Sequence, residues 1–257
     1  MAFPKKINKI EIEKIPFFKT RTEEEIKIGD FFENLNYIVN LQQRRLELLK
    51  KLKRGYLQQM FPAKNQYSPR LRFKEFNDDW KQSKLGNQVL FINGRAYKQN
   101  ELLDFGKYRV LRVGNFNTND KWYYSNLELE PDKYANKGDL LYIWATDFGP
   151  KMWNEEKVIY HYHIWKLNIL NKKLNKQYLF IWLQTDKERI KQSTNGTTML
   201  HVTKGNIEQR NFQYPQIHEQ QKIGKFFQTL DQFITLQQSK IKQLQQLKQA
   251  YLQKLFP

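Results

Sequence analysis

Pro131-Asp132, followed by Glu155-Glu156-Lys157, satisfies a loose PD…ExK spacing in which two carboxylates hold a divalent metal and a lysine steadies developing negative charge. His161 and His163, two apart in an apolar run, would share one face of a strand at metal-ligand distance. Neither set is closed. The histidine pair has no third ligand at a usable spacing, so a structural role is the stronger reading, and the PD…ExK match is cheap in a Lys-rich chain. A metal-dependent nuclease on Asp132, Glu155 and Lys157 stays as the alternative function. Methyl transfer would need a Gly-rich cofactor loop and a Pro-Pro motif, and the chain contains no Pro-Pro and no GxxxxGK[ST] phosphate loop. No catalytic residue, metal site or cofactor is expected in this chain.

A second set of residues suits recognition. INGRAYKQ carries Arg95 and Lys98, and LRVGNFNTNDKW carries Arg112, Asn115, Asn117, Asn119, Lys121 and Trp122. WATDFGPKMW carries Trp144, Thr146 and Lys151, and KQSTNGTTMLHVTK carries Lys191, Ser193, Thr194, Asn195, Thr197, Thr198, His201 and Lys204. Arginine pairs bidentately with guanine and asparagine with adenine, while Lys, Ser and Thr contact phosphate. Some of these side chains are ordinary solvated loop residues. Trp122 and Trp144 are the aromatics named for base stacking, the others being core material.

The chain's 44 Lys and Arg against 26 Asp and Glu leave a net charge of +18, which favours a polyanionic partner through counterion release, although codon bias toward Lys offers a blander explanation. Cysteine is absent, excluding disulfides and thiolate metal sites. The apolar runs, such as 140–145, fall far short of the roughly 20 residues of a membrane span, and no signal peptide is visible. A cytoplasmic protein is expected.

The elements that must position these residues are of two kinds. Between residues 76 and 206 the pattern is mixed: strands are expected over 89–93, 108–113, 139–144 and 158–167, and a helix over 176–191 with Tyr178, Ile181, Trp182 and Ile190 inward. Outside this region the chain repeats itself. Shifted by 195 positions, residues 12–62 align with 207–257 without a gap, and 21 of the 51 positions are identical. Each copy carries an apolar stripe at three and four spacing: Ile28, Phe31, Leu35, Ile38, Leu49, Leu52 and Tyr56, then Ile223, Phe226, Leu230, Phe233, Leu244, Leu247 and Tyr251. Polar residues interrupt both at matching places, Gln42 and Arg45 in one, Gln237 and Lys240 in the other. Such positions fix register, so the copies are expected to pair in one alignment. A helix of roughly 35 residues spans on the order of 50 Å, more than the about 34 Å of one DNA turn.

Residues 197–227, TTMLHVTKGNIEQRNFQYPQIHEQQKIGKFF, with Pro215, Glu219, Gln220 and Gly224, resemble the junction between recognition domain and long helix in the specificity subunits of type I restriction-modification enzymes. INGRAYKQNELL and KGDLLYIW are similar to segments of those recognition domains, and the resemblance covers essentially the whole chain. It implies an α+β fold: one mixed α/β target-recognition domain flanked by two long helices forming an antiparallel coiled coil. The implied boundaries are a tail of a first recognition domain over 1–22, a helical repeat over 23–62, the recognition domain over 63–217 and the second repeat over 218–257. The implied function is to read one half of a bipartite site in double-stranded DNA and to scaffold methyltransferase subunits, with a restriction subunit as a further partner; a homodimer would restore two readers. In the first copy Pro16 is out of register with Pro215, and Glu24-Glu25 stands in place of Glu219-Gln220. That departure leaves a non-reading decoy as a third reading.

Overall fold

The computed structural model describes residues 8–14, 19–63, 66–116, 119–145, 147–193 and 202–256. Its helices are α1 (Lys9–Glu13), α2 (Thr22–Gln59), α3 (Lys176–Ser193), α4 (Lys204–Glu208) and α5 (Ile217–Leu255). Its strands are β1 (Lys81–Lys84), β2 (Val89–Asn93), β3 (Tyr108–Leu111), β4 (Tyr123–Ser125), β5 (Tyr134–Ala135), β6 (Leu140–Ile143), β7 (Gly149–Met152), β8 (Val158–Tyr160), β9 (Ile164–Ile169) and β10 (Asn211–Tyr214). The chain divides into two compact units, Leu49–Phe233 and Met1–Leu48 with Ile234–Pro257. The two long helices therefore contribute to both. No helix among the described residues is long and apolar enough to cross a membrane.

Two four-stranded sheets build the Leu49–Phe233 unit, in orders β2-β9-β6-β7 and β4-β3-β8-β5, and β1 pairs with β10 to close its two ends. Only β3 and β8 run parallel within the named ladders. Every residue of β6 is buried, because both of its faces are covered. Leu140 and Tyr142 join the cluster under α3 with Tyr178, Trp182 and Phe212, while Leu141 and Ile143 join Leu111, Tyr160 and Ile164 between the sheets. Two-residue periodicity thus splits one strand between two cores. Lys166 is buried on β9, and its ammonium donates to the Tyr134 carbonyl at 2.7 Å, tying one sheet to the other. On α3, Tyr178, Ile181 and Trp182 are buried and Ile190 is half-buried.

The strand expected over 158–167 is two strands in different sheets. The break is steric. The backbone of Gly94 passes so close that a Cβ there would lie 2.4 Å from the carbonyl oxygens of Tyr160 and His161, and the chain turns through Tyr162 and His163 to change sheets. The strand expected over 108–113 ends at Leu111, where the Asn115 side chain accepts the Arg112 N–H at 3.0 Å and draws the chain into a short 3-10 turn.

The helices α2 and α5 pair antiparallel. Near the outer ends Phe31 meets Tyr251 edge-on at 5.0 Å and Phe32 lies 6.3 Å from Phe256. In the Leu49–Phe233 unit Tyr56 meets Phe226 at 5.0 Å and Phe61 lies 6.1 Å from Phe227. A shift of 195 turns each pair of the first unit into a pair of the second with the helices exchanged. The polar position is shared too: the Gln237 amide donates to the Gln42 side chain at 2.7 Å and to its carbonyl at 3.0 Å.

The seam register differs from the expected stripe. Leu35, Val39, Gln42, Leu46 and Leu49 face inward with Leu230, Ile234, Gln237, Ile241 and Leu244. Ile38, Leu52, Phe233 and Leu247 are 42, 46, 53 and 46% exposed, and Arg45 and Lys240 are also outside the seam. Spacing alone admits both registers, and the glutamine pair selects one, since the buried Gln237 amide needs Gln42 as its acceptor. Ile28 and Phe226 are half-buried, and Ile223 is buried.

Among the described residues, the start of α5 is anchored where that of α2 is not. Glu219, fully buried, receives both Nε and an Nη of Arg72 at 2.7 and 2.8 Å, which raises the guanidinium pKa further. Gln220 donates to the Pro215 and Lys173 carbonyls at 2.8 and 3.1 Å and accepts the Asn175 N–H at 2.9 Å. A Cβ on Gly224 would sit 3.2 Å from Gln177, so the glycine lets α5 approach α3. Glu24, the counterpart of Glu219, is exposed and takes a hydrogen bond from Thr20.

Candidate nucleic-acid interface

The turn at Tyr162 and His163 is a hub. Backbone hydrogen bonds join three remote segments to it and a fourth through Trp144: Tyr162 N–H donates to the Arg95 carbonyl at 3.1 Å, and His161 N–H to Leu111 at 2.9 Å. Trp144 N–H donates to the His163 carbonyl at 3.2 Å, and Val202 N–H to Trp144 at 3.1 Å. Segments carrying Arg95, Arg112, Trp144 and Lys204 are thereby collected around one turn. Its rings are packed together, with His161 and His163 centred 4.9 Å apart and tilted by 47°, and Trp144 edge-on to His163 at 4.8 Å. Burial, with the charges of His163 and Arg112, pushes the His161 imidazole down to about 4, so it is neutral near pH 7. The histidine pair sits in a turn and not on one face of a strand.

The expected contact residues fall into three situations. Arg95 already spends its fork on Glu101, at 2.7 and 2.9 Å, and lies 5.3 Å from the Tyr97 ring centre. Arg112 sits 4.1 Å from the Tyr123 ring centre, pairs with no carboxylate among the described residues, and keeps a buried Nε without a hydrogen-bond partner. One Nη donates to the Lys121 carbonyl at 3.4 Å, and with no carboxylate on the fork its remaining Nη donors are left for a ligand's acceptors. Asn115 and Asn119 hold their own loop, Asn115 donating to the Asn119 and Lys121 carbonyls at 3.2 and 3.1 Å and Asn119 accepting the Lys121 N–H at 3.0 Å. Lys121 is exposed, 5.2 Å from the Tyr123 ring centre, and Lys151 on β7 reaches Phe116 of the same loop at 5.7 Å.

Trp122 is covered: the Arg109 guanidinium lies 4.6 Å from its ring centre, and the ring packs against the core between the sheets. Lys98 is exposed at the head of a 3-10 turn, its N–H held by Glu101 at 2.8 Å. Lys191 and the backbone of Ser193 end α3, away in sequence from the hub, and Lys204 opens α4 3.8 Å from Glu208. Asn117, Thr146, Thr194, Asn195, Thr197, Thr198 and His201 lie outside the described residues, as does the Ser193 side chain.

Sequence reading missed a basic cleft of about 660 Å³ lined by Lys107, Arg109, Lys157, Tyr124, Glu155 and Glu156. Alternation of Lys107 and Arg109 at the edge of β3 was the available signal. Here Glu155 pairs with Arg109 at 3.0 Å, Lys157 lies 3.9 Å from the Tyr134 ring centre, and Asp132 pairs with Lys133 at 3.3 Å. The residues of the PD…ExK spacing thus take separate partners.

A sequence model described as the type I restriction modification DNA specificity domain matches residues 77–246, about two thirds of the chain. The chain belongs to that family. This specificity domain is 26% identical over 191 residues to the type I restriction enzyme MjaVIII specificity subunit of Methanocaldococcus jannaschii, covering 72% of this chain and 44% of that protein. It is 21% identical over 183 residues to the EcoBI specificity subunit of Escherichia coli, covering 69% and 38%. The chain thus spans about half the length, or less, of these curated relatives. Among solved structures, the HsdS subunit from Thermoanaerobacter tengcongensis superposes with a TM-score of 0.61 at 16% identity, covering 90% of this chain and 56% of that one. A chain from a structure on assembly and conformational transition of the type I R-M system gives 0.65 at 16%, with 90% and 57% covered. The specificity domain therefore shares the α+β fold of those chains, long helices included.

Proposed function

We propose that this chain is a non-catalytic DNA-reading subunit of a type I restriction-modification assembly, recognising one half of a bipartite target. The observation that carries the reading is the hub turn, which collects Arg112, Trp144 and Lys204 on the surface of a strongly basic specificity domain. Arg112, lacking a carboxylate partner among the described residues, is the base-reading candidate, while Lys121, Lys151 and Lys204 suit phosphate. Arg95 serves better as a strut, since reaching a base would break its pair with Glu101. The nuclease reading gains nothing from Asp132, Glu155 and Lys157.

The paired helices are the scaffold in this reading. Tyr37, Ile38, Leu41 and Leu48 on α2, with Leu236 and Leu247 on α5, remain exposed, an apolar supply that suits methyltransferase subunits, in the cytoplasm where the DNA lies. Two copies of the chain would bring two readers, and closed two-fold symmetry would then require a palindromic bipartite target. Mapping methylated sites in cells that express the chain with its methyltransferase partner tests both levels. A bipartite motif lost in Arg112→Ala is the expected result. Methylation without a motif dependent on this chain would defeat the reader, and a non-palindromic motif would defeat the symmetric pair.

A further inference from the structure

Beside the hub lies a cavity of about 310 Å³ walled by Trp144, Tyr162 and Trp165, with Asn93, Thr203 and Lys204 completing it. The rings are preset. Trp144 donates its indole N–H to the Tyr162 carbonyl at 2.7 Å and stacks on Trp165 at 6.1 Å with 23° between the planes. Trp165 in turn is stacked on Tyr142 and buried, so the wall cannot collapse inward. The polar groups keep unused capacity. The Thr203 hydroxyl accepts the Asn206 N–H at 3.3 Å and retains its own proton, and Lys204 is held loosely by Glu208 at 3.8 Å. Lys133 donates to the Asn93 carbonyl at 3.1 Å, adding a second cation near this edge.

We propose that this cavity takes a single nucleobase swung out of the DNA duplex, an inference that rests on the DNA-reading function above. A base is a flat heterocycle whose faces suit indole and phenol walls and whose edge carries donors and acceptors for a hydroxyl, an amide and an ammonium. It also arrives on a phosphate, which matches Lys204. An aliphatic side chain from a protein partner would fill the volume and leave those polar groups unmatched.

The test uses the purified chain and three duplexes of one sequence: fully paired, with one bulged nucleotide, and with an abasic bulge. An already unpaired base spares the cost of opening the stack, so the bulged base should bind at least about five-fold more tightly than the abasic bulge. Tyr162→Ala, at an exposed turn position, should bring the bulged-base and abasic duplexes to equal affinity. Equal binding of the base and abasic bulges by the unaltered chain overturns the cavity assignment, and so does a Tyr162→Ala variant that keeps the preference for the bulged base over the abasic bulge. A chain that binds none of the three overturns the DNA-reading function itself.

Discussion

At the scale of single residues, the arginines separate by partner and not by type. Arg112→Ala should cost roughly 1–3 kcal/mol of specific DNA affinity with the fold intact, whereas Arg95→Ala should lower thermal stability by releasing Glu101. Equilibrium binding and melting curves on both variants check the split, and equal binding losses would contradict it. The Arg72–Glu219 pair is buried and bidentate, so Glu219→Ala strands a guanidinium and should cost about 3 kcal/mol or more in denaturant unfolding. His161 brings a pH dependence. Its folded imidazole, held near 4 by burial, is neutral where an unfolded one with the ordinary value of 6.5 takes a proton. Its contribution is therefore complete above pH 6.5 and fades as pH falls toward 4. Melting temperatures from pH 7 to 5 should drop less steeply in His161→Gln than in the unaltered chain.

At the scale of elements, the long helices depend on one polar pair. Gln42→Leu alone takes the side-chain acceptor from a buried Gln237 amide and should destabilise by about 1–3 kcal/mol, while Gln42→Leu with Gln237→Leu should recover that loss or exceed it. A double-mutant cycle on thermal unfolding measures the coupling, and additive effects would mean that the pair is not coupled. The register makes a second contrast. Leu35→Ala should cost about 2 kcal/mol or more, and Ile38→Ala, three residues on and exposed, within about 0.5 kcal/mol. The anchors of α5 explain a motif: Glu219 and Gln220 bind Arg72, Asn175 and the Pro215 carbonyl, so the EQ pair docks a helix and leaves base recognition to other residues.

At the scale of the whole molecule, a net charge of +18 makes salt the test of mechanism. Binding to random duplex should weaken linearly in log–log against salt, and removing one lysine proposed for phosphate contact, such as Lys121, should lower the slope by about one. Removing Arg112 should instead narrow the gap between target and random DNA. Salt-independent binding would argue against phosphate tracking altogether.

The repeat at an offset of 195 residues, the charge, the existence of both long helices and the β2 strand were legible in the chain because each is a local pattern or a direct self-comparison. So was the family resemblance, carried by the junction before α5. The seam register was not, since a stripe of three and four spacing fits Ile38 as readily as Val39 until the partner helix places Gln42 against Gln237. Nor was the hub: Arg95, Arg112, Trp144 and Lys204 come from four segments up to 109 positions apart, and only backbone hydrogen bonds between sheets bring them to one turn. Which arginine is spoken for, Arg95 by Glu101, and which tryptophan is covered, Trp122 by Arg109, are likewise facts of tertiary contact. Residue type states what a side chain can bind, and only its neighbours decide whether that capacity is already used.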